Sequence, residues 1–200
     1  MTVRTDTAPA PLTLSDAWLP SRRAHALLRD ALLILGASGL IAFCAQVAIP
    51  LPWTPIPVTG QTFGVLLSGV LLGSRRGGMA CLAYLVEGAA GFPVFAGGMS
   101  GFASFVGPTG GYLAAFPVAA FLVGRLAERG LDRKPQTALL AMLLGSLLIL
   151  LLGSLRLSVL VGDVAVGFAK GFAPFVTGEL VKASVAASLL PLVWRVSKRS

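Results

Sequence analysis

Glu179 and Lys182 are the residues in this chain best placed to do chemistry. They stand three apart in PFVTGELVKAS, inside an otherwise apolar block. Positions three apart share one face of a helix. A charge within a membrane segment costs about 2.5–3.5 kcal/mol on insertion scales, and such residues usually have a function. A carboxylate beside an ammonium offers an acceptor and donors on one wall, which suits a small ligand carrying both N–H groups and oxygen acceptors. The alternative is a self-neutralising ion pair near a helix start. Glu87, in AYLVEGAAGFP, is the other carboxylate in an apolar block. Its place near a segment end also fits an interfacial or structural role. Gln61 and Thr62 follow Thr59 and Gly60 at the start of another apolar block. Gln supplies donor and acceptor together, and Thr59 suits a helix-start cap. Tyr84 and Tyr112 are the only tyrosines, and interface anchoring is their default role. Trp53, Phe92, Phe95, Phe102 and Phe105 are available to line an apolar pocket in the loops.

Other chemistries have no support. There is no G-x-x-x-x-G-K-[ST] phosphate loop, no H-E-x-x-H and no G-x-S-x-G, so ATP hydrolysis, zinc proteolysis and serine hydrolysis are not expected of this chain. The single His25 lies in a polar N-terminal stretch. Cys44 and Cys81 sit in apolar blocks without metal-site spacing and fit small buried hydrophobes. No cofactor or metal is expected, and no cleavable signal is evident in the first 28 residues.

These side chains need elements to hold them, and composition says which kind. The 200 residues are 56% hydrophobic and 12% charged, against about 25% charged in a soluble domain. Mean hydropathy is +0.85. Too few charges exist to coat a soluble domain, and disorder requires low hydrophobicity. The net charge of +8 raises nucleic acid as a partner, but the distribution excludes it. Residues 31–74, 88–124 and 135–155 carry no Lys, Arg, Asp or Glu. Short basic clusters between long apolar blocks are the pattern of a multi-span membrane protein.

Six membrane segments are expected, giving an all-α integral membrane bundle over residues 29–197 behind an N-terminal tail of residues 1–28. They are Ala31–Ile49, Gln61–Gly73, Gly78–Gly91, Gly111–Gly124, Gln136–Leu155 and Phe175–Val196. The first is about 28 Å long as a helix and ends at Pro50. The prolines at 50, 52, 55 and 57 forbid regular helix after it. Six spans put both termini on one side. That side would carry Arg4, Arg22, Arg23 and Arg29, then Arg75 and Arg76, then Arg125, Arg129, Arg133 and Lys134, and finally Arg195, Lys198 and Arg199. Only Arg156, Lys170 and Lys182 fall elsewhere. The positive-inside rule therefore predicts cytoplasmic termini.

Three connections then face outward: the Pro-rich 50–60, the Gly-rich 92–111 and the loop 156–174. Gly and Pro at membrane depth are tolerated where protein or an aqueous cavity satisfies the backbone. Two short helices flanking such loops point to an outward-facing ligand cavity; the alternative is ordinary loops at the lipid surface. The first span carries small residues, including Ser38, Ala42 and Ala45, which permit close approach of another helix. That helix belongs to this chain, to another copy in a homo-oligomer, or to another protein. No internal repeat is found.

Four motifs in register carry a family resemblance. They are TPIPVTGQT (54–62), YLVEGAAGFPVFAGG (84–98), GPTGGY (107–112) and PFVTGELVK (174–182). The chain from about 30 to 196 resembles BioY, the biotin-specific substrate-binding (S) component of energy-coupling-factor (ECF) transporters. The resemblance implies six helices, biotin as the transported ligand, and uptake energised by a separate transmembrane scaffold protein and ABC-type ATPases. It implies a multi-pass location in a bacterial cell membrane and a scaffold-docking role for Ser38, Ala42 and Ala45. Its ligand residues map onto Gln61, Tyr84, Gly107, Thr109, Gly110, Tyr112, Glu179 and Lys182. The family more often has Asp at the position of Glu179, and often an aromatic where Arg156 stands. The cation for the biotin carboxylate is open between Lys182, Arg156 and Lys170. Rival readings are an autonomous vitamin transporter and an intramembrane enzyme using Glu179 or Glu87.

Overall fold

The computed structural model describes residues 13–18 and 26–197. Arg4, Arg22, Arg23, His25, Lys198 and Arg199, and most of the expected N-terminal tail, lie outside the described residues. Nine α-helices and one two-stranded ladder are seen among the described residues: α1 Leu14–Trp18, α2 Ala26–Gln46, β1 Ala48–Ile49, β2 Val58–Thr59, α3 Gln61–Leu72, α4 Ser74–Ala89, α5 Ala103–Val106, α6 Gly110–Glu128, α7 Pro135–Val161, α8 Val164–Gly171 and α9 Ala173–Ser197. The six expected segments match α2, α3, α4, α6, α7 and α9. By length and composition α2, α6, α7 and the 164–196 stretch can each cross a membrane.

Two helices are short for good reason. α3 has 12 residues, nine of them buried, so it is about 18 Å long and has little contact with lipid. It packs against α2, α4 and α6. Gly73 joins it to α4 with φ 83°, a left-handed conformation that favours glycine. The buried start of α4 is capped from α6, where Glu128 Oε1 accepts from Ser74 N and Ser74 Oγ, both at 2.8 Å. α6 is the hub, packed on α3, α4 and α7.

The expected ends shift where apolar sequence continues. α7 runs past Leu155 to Val161, because LSVLV prolongs the apolar run. Arg156 is thus helical and not in a loop. Its guanidinium reaches Val106 O at 2.7 Å. The rest of that expected loop contains α8, whose start is capped by Asp163 accepting from Val166 N. The Pro-rich 50–60 region is pinned by pairing of Ala48 with Thr59 and Ile49 with Val58.

Charge gathers at the end opposite these connections. α1 tucks there against α3 and α9 with Leu14 fully buried. Asp16 pairs with Arg76 at 2.8 Å, and Asp30 with Arg29 at 2.9 Å and Arg76 at 3.1 Å. Burial pushes the Asp16 carboxyl up, but hydrogen bonds from Arg76 and Thr13 outweigh it and hold the group below its ordinary range. Between α6 and α7, buried Asp132 accepts from Trp194 Nε1 at 2.5 Å, and the Arg133 guanidinium lies 4.8 Å from the Trp194 ring. Burial raises the Asp132 carboxyl above its ordinary value.

Candidate functional site

The cavity sits at the end of the bundle that carries the β ladder. The space left open among its lining side chains is small, about 40 Å³, well below the roughly 300–1,000 Å³ of small-molecule sites. Its apolar wall is Leu113 and Phe116 of α6, Leu150 of α7, Phe175 of α9, and Ile56 and Pro57. Thr59, Gln61, Thr62, Thr109, Tyr112, Glu179 and Lys182 supply the polar groups.

The polar end is a closed ring. Lys182 Nζ donates to Glu179 Oε1 at 2.5 Å, to Thr62 Oγ1 at 2.5 Å and to Thr59 O at 3.0 Å. Thr62 Oγ1 donates to Glu179 Oε1 at 2.7 Å. Ser146 Oγ, on α7, donates to Glu179 Oε2 at 2.7 Å. The carboxylate of α9 is therefore tied to α3 and α7 as well as to its own helix. Glu179 is 5% exposed, so burial without these donors would be costly. This arrangement favours the cavity pair over a surface ion pair at a helix start.

Gln61 is held from both sides. Its Nε2 donates to Tyr84 Oη at 2.6 Å, and its Oε1 accepts from Thr59 Oγ1 at 3.2 Å. An amide carries two N–H donors, which leaves one for a ligand. Thr59 is not the cap itself: that position is Gly60, and Thr59 Oγ1 accepts from Gln61 N at 3.3 Å. Tyr112 Oη donates to Gly171 O at 2.6 Å, tying the start of α6 to the end of α8. Its ring lies against α7 where residue 153 is glycine. A Cβ there would approach the ring to 2.2 Å.

Of the expected ligand residues, Gln61, Thr109, Tyr112, Glu179 and Lys182 line the cavity. Tyr84, Gly107 and Gly110 do not. Tyr84 stands behind Gln61, fully buried, and donates to Val94 O at 3.0 Å. Gly110 is required by close backbone, since a Cβ there would fall on Phe105 O. Of the three candidate cations only Lys182 lines the cavity; Arg156 is turned to Val106 O, and Lys170 is exposed on α8. The loop aromatics were expected as a pocket lining and are not one. Trp53, Phe92 and Phe102 are exposed, while Phe95 packs edge-on between Tyr84 and Phe105. The aromatic wall comes instead from Tyr112, Phe116 and Phe175.

Two further expectations change. Ser38 and Ala45 are fully buried within this chain and Ala42 is half-buried, so Ser38 and Ala45 do not form an outer docking face. Ser38 Oγ instead donates to Glu87 Oε2 at 2.6 Å, linking α2 to α4. That contact absorbs Glu87 structurally. The face of α2 turned outward carries Gly36, Gly39 and Phe43. Cys81 is buried and Cys44 half-buried, both as free thiols.

Comparison with known proteins agrees with this fold. The BioY family model matches residues 13–199. A biotin transporter BioY of Rhizobium etli is 37% identical over 165 residues, covering 78% of this chain and 87% of its own. The biotin transporter BioY of Thermotoga maritima is 41% identical over 152 residues, covering 75% and 86%. A crystal structure at 2.1 Å of the S-component for biotin from an ECF-type ABC transporter superposes with a TM-score of 0.78 at 23% identity, over 88% of this chain and 95% of that one. With a largely apolar helical bundle, a cavity at one end and a family match along nearly its whole length, this chain belongs to the BioY family of multi-pass membrane proteins.

Proposed function

We propose that this chain captures biotin from outside a bacterial cell and serves as the substrate-specific component of an ECF-type transporter, energised by a separate scaffold protein and ABC-type ATPases. The observation that carries the reading is the cavity itself: one apolar wall, and one polar corner made by Glu179, Lys182, Thr62 and Gln61. Biotin has matching parts. Its ureido group brings two N–H donors and a carbonyl. Its thioether ring and aliphatic chain are apolar. Its carboxylate requires a donor or a cation. Glu179 suits the ureido N–H groups and Gln61 Nε2 the carbonyl. Lys182 Nζ, 2.5 Å from Glu179 Oε1, belongs to the same corner and suits the ureido carbonyl, since the ligand carboxylate lies at the far end of the aliphatic chain. The relatives named as biotin transporters support the same ligand.

The orientation follows from charge. The basic residues of α4, α6 and the α6–α7 connection lie at the end opposite the cavity, which the positive-inside rule assigns to the cytoplasm. The cavity then opens outward and both termini are cytoplasmic. The missing phosphate loop fits a chain that takes its energy from another subunit.

Titration of the purified protein with biotin tests the reading, with Glu179→Ala and Lys182→Ala alongside. Wild type is expected to bind tightly, and each variant to lose about 1.5–3 kcal/mol, the worth of a hydrogen bond to a charged group. Wild-type affinity no tighter than millimolar defeats the ligand assignment; unchanged affinity in both variants defeats the site. Uptake by vesicles holding this protein alone would favour an autonomous transporter, and conversion of biotin to a product would favour an enzyme.

A further inference from the structure

Among the described residues, Ser146 is the one hydrogen-bond partner of Glu179 that comes from outside the cavity wall. It lies on α7, 3% exposed, and lines a separate lipid-facing groove between α7 and α9 with Leu143, Leu147 and Val176. Glu179 is shared: it borders both the cavity and this groove. The carboxylate therefore has two directions open to it, one toward ligand and one toward lipid.

Several other helical serines of this chain bond locally. Ser68 donates to Gly64 O, Ser158 to Ser154 O, Ser184 to Leu180 O and Ser188 to Ser184 O, each to the carbonyl four residues back. That is the default for a hydroxyl in an apolar helix. Ser146 forgoes it and donates across to Glu179 Oε2 at 2.7 Å. The two carboxylate oxygens are then unequal. Oε1 accepts from Thr62 and Lys182. Oε2 accepts from Ser146 alone among the described residues. A carboxylate oxygen offers about two acceptor positions, so Oε1 is filled and Oε2 keeps one open.

We propose that Ser146 is a positioning residue for ligand binding. It fixes Glu179 Oε2 so that its remaining acceptor position meets a ligand N–H, and it does so without touching the ligand. The inference rests on the biotin reading above, and takes the ureido N–H as that group. The extra methylene of Glu over Asp has a use here, since it lets the carboxylate reach α7.

Biotin titration of the purified full chain tests this with wild type, Ser146→Ala, Ser146→Cys, Ser146→Thr, Glu179→Asp and the double variant Ser146→Ala/Glu179→Asp. Ser146→Ala is expected to weaken binding roughly tenfold to a hundredfold, as for loss of one hydrogen bond to a charged group. Ser146→Cys keeps the volume and is expected to lose nearly as much, because a thiol is a weak donor. Ser146→Thr keeps the hydroxyl and is expected to recover most of the affinity. Glu179→Asp withdraws the carboxylate by about 1.5 Å, one C–C bond, beyond reach of Ser146. In that background Ser146→Ala is expected to change affinity less than twofold. A packing role predicts the same factor in both backgrounds, and that result overturns the proposal. So does Ser146→Cys binding like wild type. A wild type that fails to bind biotin defeats the ligand reading first, which is a different outcome from tight wild-type binding with indifferent Ser146 variants.

Discussion

Replacing Lys182 with Met is the sharpest test of how the polar corner is held. Lys182 gives all three of its N–H groups to protein: Thr59 O, Thr62 Oγ1 and Glu179 Oε1. Methionine keeps the apolar stem and removes the charge. Glu179 is then a carboxylate at 5% exposure with two hydroxyl donors and no counter-charge. Breaking a buried pair from one side costs about 3–5 kcal/mol. The Lys182 side chain is 21% exposed, and screening lowers the expectation to about 2–3 kcal/mol. A chain of this size loses about 2–4 °C in Tm per kcal/mol, so ligand-free thermal unfolding in detergent should fall by roughly 4–12 °C. The double variant Glu179→Gln/Lys182→Met removes both charges and should recover at least half of that loss. An unchanged Tm in Lys182→Met refutes the claim that Glu179 depends on its counter-charge. A double variant worse than the single one refutes the claim that the penalty is an uncompensated buried charge.

Three other outcomes follow from the same contacts. Gly153→Ala should drive a methyl into the Tyr112 ring, at 2.2 Å before adjustment; overpacking of this kind costs about 1–3 kcal/mol, and biotin titration should show weakened binding while Gly36→Ala, which meets nothing within 4 Å, should not. Ser38→Ala should remove the 2.6 Å bond to Glu87 and lower stability by about 1 kcal/mol, read as faster hydrogen exchange in α2. Burial raises the Asp132 carboxyl above its ordinary value, so its contribution to stability is greatest below the unfolded carboxylate value of about 3.9 and is lost as pH rises through the folded one. Asp132→Asn keeps an acceptor for Trp194 without the charge. It should unfold later than wild type at pH 8, and the gap should close on acidification; a gap that widens toward low pH would reverse the assigned direction.

Much of this architecture is legible in the residues alone. Uncharged runs of 44, 37 and 21 residues leave few alternatives to membrane helices, because burying charge in a bilayer is so costly. The Glu179–Lys182 pair is legible too, since spacing of three sets a shared face by helix geometry alone. Gln61 is legible as an amide at the start of an apolar block, Thr109 and Tyr112 follow from motif resemblance, and all three line the cavity. Tyr84 came the same way and acts one layer back, through Gln61.

What the residues could not reveal is which apolar face looks inward. In water, hydrophobic periodicity marks the core; in a bilayer, lipid and core both select apolar side chains, and that contrast fades. On α2 the small residues Ser38 and Ala45 leave open whether the helix they admit lies within this chain or outside it, and packing turned both inward against α3 and α4. Phe116 and Phe175 became the pocket wall while Trp53 and Phe102 were left outside, with nothing in composition to separate them. Ser146 sits 33 positions from Glu179 in an unbroken apolar run, where a serine ordinarily bonds its own helix. The sequence by itself determined that this is a membrane bundle with one internal charge pair. The tertiary structure alone decided which hydroxyls that pair meets, because those contacts join helices far apart in the chain.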